Sequence, residues 1–260
     1  MTTRKEVFAF NGELALLLAV MSYQAYMVQE VDVFALPAGF VFNRAVTSNA
    51  GEAFGYIAES PDMIVVAFRG TKTLTNVSSY LDAVQIPYPY VENCGKTHRG
   101  ITRIYQTFRD KIIQTIKHLS TEKQIVVTGH SLGGSLAALL TMDIAVNTAF
   151  KNPILYSFAS LPIADDVFTK KFYRAVKNSI RIVNVHDAIS NCMTPLFFRN
   201  KPLLNLPVGR EFQLNFNNNH FIQNHRMLSY IHFLIKRYPK AHEKVCKRNP
   251  GFCPDVSIYE

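Results

Sequence analysis

At 260 residues, the chain fits one large domain better than two small ones. Hydrophobic residues make up 48% and charged residues 18%, enough apolar material for a sizeable core, and this excludes a disordered chain. The formal charge of +9 is not accompanied by a recognition motif for nucleic acid, so nucleic acid is not an expected partner.

Taken in chain order, Glu13 to Tyr26 is apolar on most faces and reads as a helix packed on the body of the protein. Phe34 to Val46, with Pro37 and Gly39, reads as loop and turn. Ala53 to Ala58 alternates loosely as a half-buried strand, and the β-branched run Met63 to Phe68 reads as a buried strand ending in Arg69-Gly70-Thr71. Residues 72–99 are irregular. Ile101, Ile104, Tyr105, Phe108, Ile112, Ile113 and Ile116 share one face of a helix over Ile101 to Leu119. A short buried strand, Gln124 to Thr128, precedes a helix from Leu132 to Asn147, which is rich in Leu and Ala. Further strands are read at Ile154–Ala159, Ile180–Val185 and Glu211–Phe216. Helices are read at Asp166–Val176, N-capped by Asp165 and Asp166, and at Arg226–Arg237, with a long Pro-containing loop over 188–210.

Strands alternating with helices in this way imply a mainly parallel sheet with helices on both faces, within a single domain spanning 1–260. The sharpest basic cluster lies near the C-terminus, in Lys236, Arg237, Lys240, Lys244, Lys247 and Arg248. A solvated basic helix end is favoured there over attraction to an anionic lipid interface. Cys94, Cys192, Cys246 and Cys253 lack zinc spacing; Cys246 and Cys253 can close a small loop, and free thiols are an equal reading. The N-terminal residues lack a secretory pattern, and no uninterrupted apolar run reaches the ~18 residues of a spanning helix, so a soluble, cytoplasmic protein is expected.

The stretch carrying chemistry is Gly129-His130-Ser131-Leu132-Gly133-Gly134, a Gly-x-Ser-x-Gly between a strand and a helix. That context describes a nucleophile elbow, a sharp turn that lifts a serine hydroxyl above the sheet. A serine hydroxyl needs a base to take its proton and a third group to orient that base. In this topology both follow the serine in sequence. Asp187 is the best acid, because it sits at the carboxyl end of the strand 180–185, on the same sheet edge as Ser131. Asp143 lies three turns into the elbow helix and faces away. For the base, His225 fits best and His220 is the runner-up, both following the last strand. The oxyanion donors expected are the backbone N–H groups of Leu132, next after the nucleophile, and of Thr71, at the end of the strand 63–68.

With these residues in place, the chain resembles the class 3 lipases, a family of α/β-hydrolases that includes fungal triacylglycerol lipases and plant acylhydrolases. The resemblance rests on five segments in the family's order: Val66–Thr71, His98-Arg99-Gly100, Thr128–Leu139, Arg181–Asp187, and Pro207–Glu211 followed by His225–His232. It implies Ser131, Asp187 and His225 as the triad, with Thr71 and Leu132 as the oxyanion hole, and it selects His225 over His220. It implies hydrolysis of lipid carboxylic esters, as in triacylglycerol lipases, with no metal or organic cofactor. The alternatives are a phospholipase A1, a short-chain carboxylesterase, or an inactive hydrolase fold that binds lipid. The implied partners are a lipid or small ester and, transiently, a lipid interface. Two departures stand out. Asp187 is followed by Ala188-Ile189-Ser190 where the family often has Asp-Pro, and Asn76–Leu81 supplies neither the Trp nor the Asp that the family commonly has shortly after its oxyanion residue. Residues 72–97, with Leu74, Val77, Tyr80, Leu81, Val84, Ile86 and Tyr88, are the expected lid segment, a packed surface excursion being the competing reading.

Overall fold

A computed structural model describes residues 8–29, 34–71, 84–191 and 205–256, and the backbone of two short strands at 196–198 and 201–203. Helix α1 (Gly12–Gln24) comes first, started by Asn11, whose side chain accepts from the N–H groups of Glu13 and Leu14 at 3.0 Å. Strands β1 (Val41–Thr47), β2 (Ala53–Glu59) and β3 (Met63–Phe68) follow, then the small hairpin β4 (Gln85–Pro87) and β5 (Lys96–His98). Helices α2 (Arg99–Gln106) and α3 (Arg109–Lys117) lead to β6 (Gln124–His130), α4 (Leu132–Asn147), β7 (Ile154–Phe158), α5 (Asp166–Ala175) and β8 (Asn178–Asn184). The short pair β9 (Leu196–Phe198) and β10 (Lys201–Leu203) precedes β11 (Arg210–Leu214). Helices α6 (Phe221–His225), α7 (Met227–Arg237) and α8 (Pro239–His242) close the chain, with a π turn at Glu243–Lys247.

Seven strands form the central sheet in the order β1-β2-β3-β6-β7-β8-β11; β1, β2 and β3 are antiparallel, and every pair from β3 onward is parallel. The two faces divide the alternating side chains of each strand. Ile64, Val66 and Phe68 of β3 pack with Ile125, Val127 and Leu155 under α2, α3, α4 and α5. Val65 and Ala67 pack with Val126, Tyr156 and Phe158 under α1 and α7. Burying each such side chain stabilises the fold by roughly 1.5–3 kcal/mol. Coverage of both faces explains the continuous apolar runs of β3 and β6. Helix α1 is apolar all round because it lies between the sheet and α7.

Several expectations change. Residues 34–46 are not all loop: β1 begins at Val41 as an edge strand whose pairing with β2 shifts between Phe42 and Arg44, and that irregularity breaks the alternation a strand would show. Strand β2 is buried rather than half-buried, because Phe54 and Ile57 meet one cluster while Tyr56 and Ala58 meet the other. The helix read over 101–119 is two helices. Thr107 Oγ1 donates to the Ile104 carbonyl at 2.7 Å, and Phe108 leaves helical geometry to place its ring against Phe54, Phe68 and Tyr105. The lid expectation falls partly on 72–83, which lie outside the described residues, as does Cys192; the described remainder, 84–97, carries the β4–β5 hairpin. Cys246 and Cys253 are bridged, and Cys94 is a buried free thiol. Among the described residues, no helix is long and apolar enough to cross a membrane.

Candidate active site

Ser131 stands between β6 and α4 with φ 56° and ψ −123°, a left-handed conformation that costs energy for a residue bearing a side chain. The turn is held by the Ser131 N–H, which donates to the Phe158 carbonyl at 2.9 Å, and by two close backbone approaches. A Cβ on Gly129 would strike the Gly133 carbonyl, and one on Gly133 would strike the carbonyls of Phe68 and Arg69. Only glycine lets α4 start this close to β6 and β3. Here the sequence dictates the strain, and the strain presents the hydroxyl.

The three residues expected to act together meet at the carboxyl ends of β6, β8 and α6. His225 Nε2 lies 2.8 Å from Ser131 Oγ, and His225 Nδ1 lies 2.8 and 3.0 Å from the two oxygens of Asp187. All three are buried, Asp187 completely. With Nδ1–H donating to the carboxylate, Nε2 is the acceptor for the serine proton. Burial pushes the Asp187 carboxyl up, but hydrogen bonds from His225 and from the Ser190 backbone outweigh it, and the net pKa falls below the ordinary value. Asp187 Oδ1 accepts the N–H groups of Ile189 and Ser190 at 3.0 and 3.1 Å, so Ala188-Ile189-Ser190 closes a turn back onto the acid without a proline. His220, the runner-up, caps α6 from an exposed position and does not reach the serine. Asp143 is held far from the cleft by Arg109, Tyr105 and Asn147.

Four further side chains hold the site and escape motif reading. Tyr230, on α7, donates to Asp187 Oδ2 at 2.9 Å and accepts the Asn184 N–H at 2.9 Å. The buried Arg181 guanidinium donates to the carbonyls of Ser160 (3.0 Å) and Ser190 (2.7 Å) and to Glu211 (2.9 Å), pinning the turn that bears the acid. Tyr26 accepts the Gly70 N–H and donates to His130 Nδ1 at 2.7 Å, while His130 Nε2–H donates to the His225 carbonyl at 2.8 Å. The loop before Thr71 and the backbone of the base are thus tied together through the residue preceding the nucleophile. Burial, and then the charge of His225, lowers the His130 pKa to about 3, so His130 stays neutral. Their sequence signals were faint: a tyrosine in a helix and an arginine in a strand ordinarily serve packing or solvent.

Thr71 and Ser131 line one cleft of about 440 Å³ together with Tyr23, Tyr26, Met27, Ile222 and the segment His225–Leu228. Leu132 is the first residue of α4, so its N–H is unpaired within the helix and faces the anion-favouring end of the helix dipole. This hydroxyl and imidazole in a partly apolar cleft, backed by the buried carboxylate, can carry out acyl transfer.

The family profile described as Lipase (class 3) matches residues 65–197, just over half of the chain. The chain belongs to the class 3 lipase family. Among sequence relatives, phospholipase A1-II 3 of Oryza sativa subsp. indica is 25% identical over 249 residues, covering 76% of this chain and 58% of the relative. The lipase of Rhizomucor miehei is 28% identical over 139 residues, covering 50% and 38%. The chain therefore spans about half the length of the curated relatives it matches. Among solved structures, the mono- and diacylglycerol lipase from Aspergillus oryzae superposes with a TM-score of 0.65 at 20% identity, covering 82% of each chain. The Rhizomucor miehei lipase propeptide complex gives 0.65 at 20%, covering 79% and 69%. At such identities the likeness concerns the fold, and this class 3 lipase-family chain has that α/β-hydrolase fold.

Proposed function

We propose that the chain hydrolyses carboxylic esters of lipids through an acyl-enzyme intermediate. The observation that carries this reading is the unbroken chain Asp187–His225–Ser131, with heavy-atom contacts of 2.8 Å on both sides of the imidazole. His225 Nε2 takes the Ser131 proton as Oγ attacks the ester carbonyl, and Asp187 stabilises the imidazolium formed. The backbone N–H groups of Leu132 and Thr71 receive the oxyanion. The imidazolium then protonates the leaving alcohol, and water, deprotonated by the same imidazole, releases the acid and frees Ser131. The apolar lining of Met27, Ile222, Met227 and Leu228 suits an acyl chain. The names of the relatives above, lipases and a phospholipase A1, support a lipid ester. A lipid-binding module without catalysis would leave this hydrogen-bond chain and the strained Ser131 without a role. Steady-state hydrolysis of emulsified diacylglycerol tests the reading: Ser131→Ala is expected to lose several powers of ten in turnover while folding normally. Equal activity in that variant would refute it.

We also propose that the protein matures in an oxidising compartment. The Cys246–Cys253 bridge supports this, since structural disulfides persist where thiols are not kept reduced. Mass spectrometry of protein isolated from its native source would find the bridge formed; two free thiols there would contradict the proposal.

A further inference from the structure

Arg226 follows the base directly and lines the same cleft as Ser131 and Thr71. Its side chain is exposed, and its guanidinium has no hydrogen bond or ion pair among the described residues. Among the described residues that line the cleft none is a carboxylate, Asp187 being buried behind His225: beside Arg226 stand His130, Ser131, His225, Thr71, two tyrosines and apolar side chains. Arg181, Arg69 and Arg109, by contrast, each have a carboxylate partner.

The mechanism fixes which part of a substrate meets this charge. His225 hands its proton to the leaving oxygen, so the alcohol side of the ester lies against His225 and its neighbours. Arg226 therefore faces the alcohol portion, not the carbonyl. A neutral glycerol portion offers a guanidinium only uncharged hydroxyl and ester acceptors, whereas a phosphate there gives charge-assisted, two-pronged hydrogen bonds, roughly twice as strong.

We propose that Arg226 binds the phosphate of a glycerophospholipid and sets a preference for phospholipid over uncharged acylglycerol. The proposal rests on the ester-hydrolase reading and names its substrate class. The phosphate takes no part in the bond change: the acyl C–O bond breaks, and water supplies oxygen to the fatty acid and a proton to the lysophospholipid.

The test presents phosphatidylcholine and diacylglycerol with identical acyl chains, separately, in micelles of an uncharged detergent. Both surfaces then carry no net charge, which separates binding of the substrate's own phosphate from general attraction to an anionic surface. The rate for each variant is normalised to active sites titrated with an uncharged fluorophosphonate, so a misfolded fraction drops out. The ratio of kcat/KM for phosphatidylcholine to that for diacylglycerol is expected to fall about tenfold to a hundredfold in Arg226→Gln, the worth of a hydrogen bond to a charged group. Arg226→Lys should recover part of it, keeping the charge without the two-pronged geometry. A ratio within twofold of the starting protein in both variants would overturn the proposal while leaving the hydrolase reading intact. If the unaltered protein cleaves neither lipid and Ser131 takes no label, the hydrolase reading fails and this proposal fails with it.

Discussion

Asp187, fully buried behind the base, accepts from His225, Tyr230 and two backbone N–H groups. Its negative charge, not only its shape, fixes the histidine tautomer that can receive the serine proton. Asp187→Asn is therefore expected to lower kcat by about 10⁴-fold, in line with such a substitution in other triads, while circular dichroism stays unchanged. Tyr230→Phe should cost about tenfold, since it removes one hydrogen bond to a charged acceptor; an Asn variant as active as the parent would remove Asp187 from the mechanism. His130 has a consequence for stability. Its pKa of about 3 in the fold lies below the ~6.5 of an unfolded histidine, so between these values only the unfolded chain binds the proton. The fold thus keeps the full contribution above pH 6.5 and loses it as pH falls toward 3, at about 1.4 kcal/mol per pH unit for one proton. Denaturation midpoints at pH 4, 5 and 6 should show a shallower decline in His130→Gln; an identical decline would mean that His130 is protonated in the fold.

The elbow is where local geometry and packing are hardest to separate. Gly133→Ala places a methyl group against the carbonyls of Phe68 and Arg69, which belong to the end of β3 and cannot rotate away. A loss of about 1–3 kcal/mol by urea denaturation is expected, and activity should fall further as Ser131 and the Thr71 loop are pushed apart. A neutral result would show that the β3–α4 contact is looser than described. This part of the molecule was legible in the sequence because its chemistry is local: Gly129–Gly134, the β3 run and Asp187 each announce themselves within a few residues. Strand β1 was not legible, since its edge position and shifted register remove the alternation by which strands are recognised. The break at Thr107–Phe108 was hidden because the apolar face continues across it; only the contact of Phe108 with β2 and β3 explains it. Tyr26, Arg181 and Tyr230 were missed for the same reason, as His130, Glu211 and Asp187, with which they pair, lie 104, 30 and 43 residues away.

The whole molecule places its functional groups on one edge of the sheet and closes its C-terminal turn with a cross-link. The Cys246–Cys253 bridge ties the π turn to the chain seven residues on, next to Gln24 of α1, which donates to the Phe252 carbonyl at 2.8 Å. Closing so short a loop is worth about 2–3 kcal/mol, so Cys253→Ser should lower the thermal midpoint by several degrees. Cys94 is not a competing thiol: burial raises its pKa to about 11. Unchanged melting in Cys253→Ser would mean that the C-terminal turn contributes nothing to the fold. Whether Ser131 is a nucleophile activated by His225 and Asp187 is read directly by incubation with a fluorophosphonate followed by peptide mass spectrometry. A single phosphonylated residue, Ser131, is expected, with labelling abolished in Ser131→Ala and slowed by orders of magnitude in His225→Ala. Labelling at another serine, or none in protein that is folded by circular dichroism, would contradict that role for Ser131.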